Sequence, residues 1–283
     1  PLYPATIAAV SRPTGLSPFA AGEAVSFAAF LGAVVFLGLL AREEGFDPGA
    51  TVQAILAFPT AFFFLAVYTE SFYLLLSAGC LLAVRRRRDH LAVLAGFLVG
   101  LCRPNGFLLS APIVWIWLAE RKARPSVPRR WLALASVAPG AGLLAFLAFS
   151  GWTLGNPFLP ISVQKSGWHH SLTWPWTPLL RGWFWQPHLR FEVVVTLLCF
   201  FAAVSLWKRF PGYALYVALT LLMLCLSGHL FSANRYVLVL FPVFFLLGDL
   251  FRKVPWIETA YTICSGVVLG DLTIRFVLGF WVA

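Results

Sequence analysis

Apolar runs of about 17 to 25 residues recur from Phe19 to the C-terminus, separated by short polar stretches. A helix needs about 20 such residues to cross about 30 Å of hydrocarbon. The pattern therefore predicts an all-α, polytopic membrane helical bundle. It divides into about ten transmembrane segments, at 19 to 41, 51 to 67, 72 to 84, 90 to 102, 106 to 119, 131 to 150, 191 to 207, 212 to 229, 236 to 251 and 257 to 282. Together they form a single transmembrane domain over residues 1 to 283.

Two pairs of segments are short and joined by polar tips, one at Tyr68-Thr69-Glu70-Ser71 and the other at Arg103-Pro104-Asn105-Gly106. A helix over 90 to 102 rises only about 20 Å, so these broken hairpins should turn within the outer part of the membrane. Irregular backbone survives at that depth only where protein or a wet cavity satisfies it. The tips are expected to share a cavity opening outward. One long outer loop, at about 151 to 190, carries Trp152, Trp168, Trp174, Trp176, Trp183 and Trp185. Trp suits the headgroup region and also stacks on sugar rings, with interface anchoring the simpler role for most of the six.

Composition agrees with this reading: 60% of the residues are hydrophobic and 11% charged, against about 25% charged in an ordinary soluble domain. A net charge of +10 would raise nucleic acid as a partner for a soluble chain. Here the cations fall in short loops, as in Arg85, Arg86, Arg87 and Arg88 and again in Arg121, Lys122, Arg124, Arg129 and Arg130. If 85 to 88 is cytoplasmic, so are 42 to 50, 120 to 130, 208 to 211 and 252 to 256. These loops hold fourteen Lys and Arg, against about five on the other side, as the positive-inside rule requires. That distribution sets nucleic acid aside. Five cysteines stand singly without CxxC spacing and read as small hydrophobes. The chain opens on Pro1 with no basic-then-apolar leader, so the segment is expected to begin partway through a longer protein.

Glu70 lies in FFFLAVYTESFYLLL, where a charge costs about 2.5 to 3.5 kcal/mol on insertion scales. It reads either as a cavity carboxylate for a hydroxyl or cation, or as a structural partner for an Arg on a neighbouring helix. Arg103 and Arg235 carry planar donor forks suited to phosphate oxygens, or could anchor helix ends by snorkelling. Gln164, Lys165, Trp168, His169 and His170 stand in the outer loop. Adjacent histidines rarely chelate one ion and no acid lies near, so no metal is expected, and His169 reads as a hydrogen-bond donor or proton relay. Asp271 and Arg275, four apart, are expected to pair on one helix face, and Glu23 to sit at the interface.

PLYP at the start, FPTAFFFLAVYTESFY at 58 to 73, RPNG at 103 to 106, GNPFLPISVQKSGW at 155 to 168 and RYVLVLFP at 235 to 242 together resemble the PIG-V-like mannosyltransferases. These are relatives of GPI mannosyltransferase 2 within the GT-C glycosyltransferases, and the resemblance runs through nearly the whole chain. It implies an enzyme that takes a sugar, usually mannose, from a polyprenyl-phosphate carrier and transfers it to a hydroxyl of a lipid, glycan or protein on the non-cytoplasmic face. The lipid-linked donor is a substrate, and no cofactor is implied. On this resemblance Glu70, Arg103, Asn105, Gln164, Lys165, Trp168, His169, Arg235 and Tyr236 are substrate-binding residues. Pro104 stands where the family's turn has Ser. The family's catalytic acid lies in the first outer loop, just ahead of PLYP, so the base is expected N-terminal to Pro1.

The implied partners are membrane lipids, the polyprenyl-phosphate sugar, an acceptor the sequence does not identify and an accessory membrane subunit. The short loops point to a bacterial plasma membrane with the site facing outward. Two other classes also fit buried charges on broken helices: a transporter or lipid flippase, and a structural subunit whose tips hold a partner.

Overall fold

A computed structural model describes residues 1–123, 129–167 and 171–282, without the side chains of Ile161 and Gln164. The described residues are helical with no strand: α1 (Leu2–Thr14), α2 (Pro18–Glu43), α3 (Pro48–Leu56), α4 (Glu70–Arg85), α5 (Asp89–Cys102), α6 (Ser110–Ala123), α7 (Arg130–Leu154), α8 (Leu159–Gly167), α9 (Thr177–Phe184), α10 (Arg190–Trp207), α11 (Pro211–Leu226), α12 (Ala233–Leu238), α13 (Phe241–Lys253) and α14 (Pro255–Val277). Short 3-10 turns occupy Ala61–Phe64, Pro104–Leu109 and Pro187–Leu189. Four helices are long and apolar enough to cross a membrane: Pro18–Glu43, Arg130–Leu154, Pro187–Trp207, where the last 3-10 turn runs into α10, and Pro255–Val277. These match the segments expected at 19 to 41, 131 to 150, 191 to 207 and 257 to 282.

Three expected segments are interrupted. The run 51 to 67 stops at Leu56 and resumes as the 3-10 turn Ala61–Phe64, and 106 to 119 opens as 3-10 before α6. The run 236 to 251 breaks between α12 and α13 at Val239 and Leu240. Pro59 lies inside the first break, Pro104 opens the second turn and Pro242 sits in the first turn of α13. Proline lacks the N–H that would continue a helix and disfavours the helical region for the residue before it. The stretch expected as a long loop, 151 to 190, is largely helical instead, since α7 runs to Leu154 and α8 and α9 follow. Helix α1 was not expected at all. It is tied to α2 by the Tyr3 hydroxyl, 2.5 Å from Ser26 Oγ.

Helices α5 and α7 cross closely because small residues face each other. A Cβ on Gly100 would lie 2.0 Å from the Pro139 carbonyl oxygen, and one on Gly142 equally close to that of Phe97. Such close backbone approach packs apolar helices through small residues. It also holds the last turn of α5 against α7, just ahead of Arg103.

The described parts of the five loops expected on one side gather at one end of the bundle. Glu44, after α2, pairs with Arg85 at 2.5 Å and accepts a 2.5 Å hydrogen bond from the Tyr213 hydroxyl. Arg86 meets Glu43 at 2.9 Å, and Arg252 meets Asp47 at 3.4 Å. Arg129, just ahead of α7, holds Asp89 and Glu120 and donates to the Val84 carbonyl at 3.2 Å. Burial alone would lower the Arg129 pKa; hydrogen bonds and charges from Asp89 and Glu120 more than offset this and raise it above the ordinary value.

Candidate functional site

Helices α4 and α5 start or end at that basic end and carry their opposite termini about 20 Å away. There the two polar tips come together. Glu70 is the first residue of α4 and is fully buried. Arg103 caps α5 with φ −140° and ψ 141°, the extended conformation imposed by the following Pro104. The 3-10 turn after it folds back so tightly that a Cβ on Gly106 would lie 2.4 Å from the Val99 carbonyl oxygen. Glycine is required there by space.

A third segment completes the group. Ser232, at φ 65°, turns the chain into α12, and Arg235 follows three residues later. Arg235 grips Glu70 Oε1 with both Nε (2.8 Å) and Nη2 (2.7 Å). Arg103 Nη1 reaches the same oxygen at 3.5 Å. Among the described residues, buried Glu70 Oε2 has no hydrogen-bond partner, nor has Ser71 Oγ. One carboxylate thus faces two guanidinium groups that are mostly shielded from solvent, with side chains 11% and 16% exposed.

Aromatic faces line the cations. The Arg103 guanidinium carbon lies 5.5 Å from the Tyr73 ring centroid and 5.2 Å from that of Tyr236. Arg235 lies 4.3 Å from the Tyr68 ring and 5.0 Å from that of Phe63. Ring quadrupoles attract cations while leaving guanidinium N–H groups at the edges for other acceptors. Behind Arg103, the Tyr73 and Tyr216 hydroxyls stand 3.0 Å apart in the buried core. The cluster carries a formal excess of one positive charge, so it can take an anion without a metal or a proton change.

Of the residues expected to bind substrate, the structure brings Glu70, Arg103, Arg235 and Tyr236 together, with Asn105 buried in the turn after Arg103. Lys165 is exposed on α8, which packs on α7, and no hydrogen bond or ion pair joins it to this group. Trp168, His169 and the Gln164 side chain lie outside the described residues. Glu70 is fully buried and the two arginine side chains are mostly shielded, so the cluster is far more closed than the outward-opening cavity expected for the tips.

Sequence reasoning missed Tyr68 and Tyr73, though Tyr73 stands one helical turn beyond Glu70 and spacing would have found it. It also missed the neighbouring pair Glu192 and Asn234, whose Nδ2 donates to Glu192 Oε1 at 3.2 Å. A carboxylate in the first turn of an apolar helix, in RFEVVV, was the available signal. Asp271 and Arg275 do pair, at 2.8 Å, on the outside of α14.

No protein-family model matches this chain, and comparisons with curated proteins and with solved structures return no match.

Proposed function

We propose that this chain is a membrane glycosyltransferase of the GT-C type, similar to the PIG-V-like mannosyltransferases, acting on a polyprenyl-phosphate sugar. The observation that carries the proposal is the meeting of the Glu70 and Arg103 tips with Arg235 in one ring-lined group with excess positive charge. In this reading the ten apolar segments surround the group, and it opens at the non-cytoplasmic face of a bacterial plasma membrane. Arg103 and Arg235 hold the donor phosphate, and Glu70 holds the two arginines in register.

Transfer breaks the bond from the sugar anomeric carbon to the phosphate oxygen, and the phosphate leaves with the electron pair. Guanidinium groups placed at that oxygen stabilise the charge as it develops. The acceptor oxygen bonds to the anomeric carbon, and its proton passes to a carboxylate base. The resemblance puts that base ahead of PLYP. Tyr3 of that stretch lies 5.9 Å, ring to ring, from Phe72, two residues past Glu70, so PLYP borders the cluster.

The test replaces Arg103 with Ala in the full-length protein and measures transfer from labelled polyprenyl-phosphate mannose. The Glu70–Arg235 pair remains in this variant, so folding is retained while transfer should fall by about a hundredfold or more, the scale of losing one charge-stabilising donor. Wild-type turnover would remove Arg103 from the mechanism. Accumulation of the lipid-linked sugar on one side of proteoliposomes without transfer would instead show a transporter.

A further inference from the structure

At the basic end, remote from the Glu70 cluster, a cleft of about 230 Å³ opens between α6 and the start of α11. It is lined by Arg85, Trp115, Glu120, Arg209, Phe210 and Tyr213, among others. Its floor is set by close helix contact, since a Cβ on Gly212 would lie 2.9 Å from Pro112 Cα and 3.1 Å from Trp115 Cβ. We infer that this cleft binds the phosphate headgroup of an anionic membrane phospholipid, independently of any transferase activity.

Charge pairing separates Arg209 from its neighbours. Arg85 is engaged by Glu44, and Glu120 is engaged by Arg129. Of the charged residues that line the cleft, Arg209 is the one that no ion pair engages among the described residues; Arg121 and Lys208 are also unpaired at this end but do not line it. Arg209 instead rests on rings, 5.0 Å from the Phe210 centroid and 5.5 Å from that of Phe46. Gly45, at φ 80°, makes room for it, since a Cβ there would lie 3.2 Å from Arg209 Nη2. Helix α11 also begins at the cleft with no side-chain cap and no acid in its first turn. Its positive end adds to the attraction for an anion.

The surroundings favour a lipid over a soluble phosphate. Trp115 and Trp207 stand exposed beside the cleft, their centroids 6.3 Å apart, and Ile116 and Ala119 supply apolar wall. Tryptophan marks the interface between headgroups and acyl chains. A phosphate in the cleft would leave the acyl chains against this apolar flank. Basic pockets between membrane helices on the cytoplasmic side select anionic headgroups in this way.

The test titrates the purified full-length protein in detergent with short-chain phosphatidylglycerol, with phosphatidylcholine of the same chains, and with inorganic phosphate as competitor, reading bound lipid by native mass spectrometry. Phosphatidylglycerol should bind in preference to phosphatidylcholine and resist inorganic phosphate. Arg209→Gln should weaken phosphatidylglycerol by about fivefold. Ala119→Trp, which fills the exposed wall, should reduce it further, while Arg252→Gln at the same end should leave it unchanged. Equal binding of the two lipids, or an Arg209→Gln protein that binds like wild type, overturns the site. Displacement by inorganic phosphate at equal concentration overturns the lipid assignment.

Discussion

The two ends of the bundle use buried and half-buried arginine in opposite ways. At the basic end Arg129 spends its donors on Asp89, Glu120 and the Val84 carbonyl, two acids to one base. At the other end two arginines share a single oxygen of Glu70, and the second oxygen has no partner among the described residues. The first arrangement is saturated and ties the ends of α4, α5 and α6 to α7. The second holds cations over aromatic faces with hydrogen-bonding capacity in reserve. Bringing ions out of water costs several kcal/mol each unless partners are complete, so an incompletely paired buried group points to a ligand.

This contrast can be broken most severely at Glu70. Glu70→Ala leaves Arg103 and Arg235 facing each other without a counter-ion, and it should cost about 3–5 kcal/mol of stability. A melting temperature equal to wild type, measured by tryptophan fluorescence in detergent, would show that no ion cluster exists. Next in size, Arg129→Ala should destabilise by about 1.5–3 kcal/mol, the range for hydrogen bonds to charged groups, while leaving transfer per folded molecule unchanged. Arg103→Ala should do the reverse. If both variants lose stability alone, the two ends do not differ in kind.

Smaller changes sharpen the same comparison. Tyr73→Phe removes the hydroxyl contact with Tyr216 and should cost about 0.5–1.5 kcal/mol, with the Arg103–Tyr73 ring contact kept. Asp249→Asn breaks a surface pair with Lys253 whose side chains are well exposed, and thermal melts should register about 0–1 kcal/mol.

Long, largely apolar runs made α2, α7, α10 and α14 legible in the sequence, because length and hydropathy together decide such helices. The interruptions were written there too, in Pro59, Pro104 and Pro242, but continuous hydropathy across 51 to 67 and 236 to 251 outweighed them. Glu70, Arg103 and Arg235 stood out because a charge inside apolar sequence must be compensated. Of their ring partners Tyr236 was expected, but Tyr68 and Tyr73 were not singled out as site residues, being lost among a 16% aromatic background. The contact between Tyr213 and Glu44 spans 169 positions and has no local signal.

On the proposed reading, Arg103 and Arg235 together form a phosphate site at the end of the bundle away from the basic loops. Binding of labelled polyprenyl phosphate to the purified full-length protein tests it most directly, with the Arg129→Ala variant as control. Wild type and Arg129→Ala should bind alike, and Arg103→Ala should bind at least about tenfold more weakly, as loss of one charged hydrogen-bonding partner requires. Equal affinity in all three proteins would contradict the account.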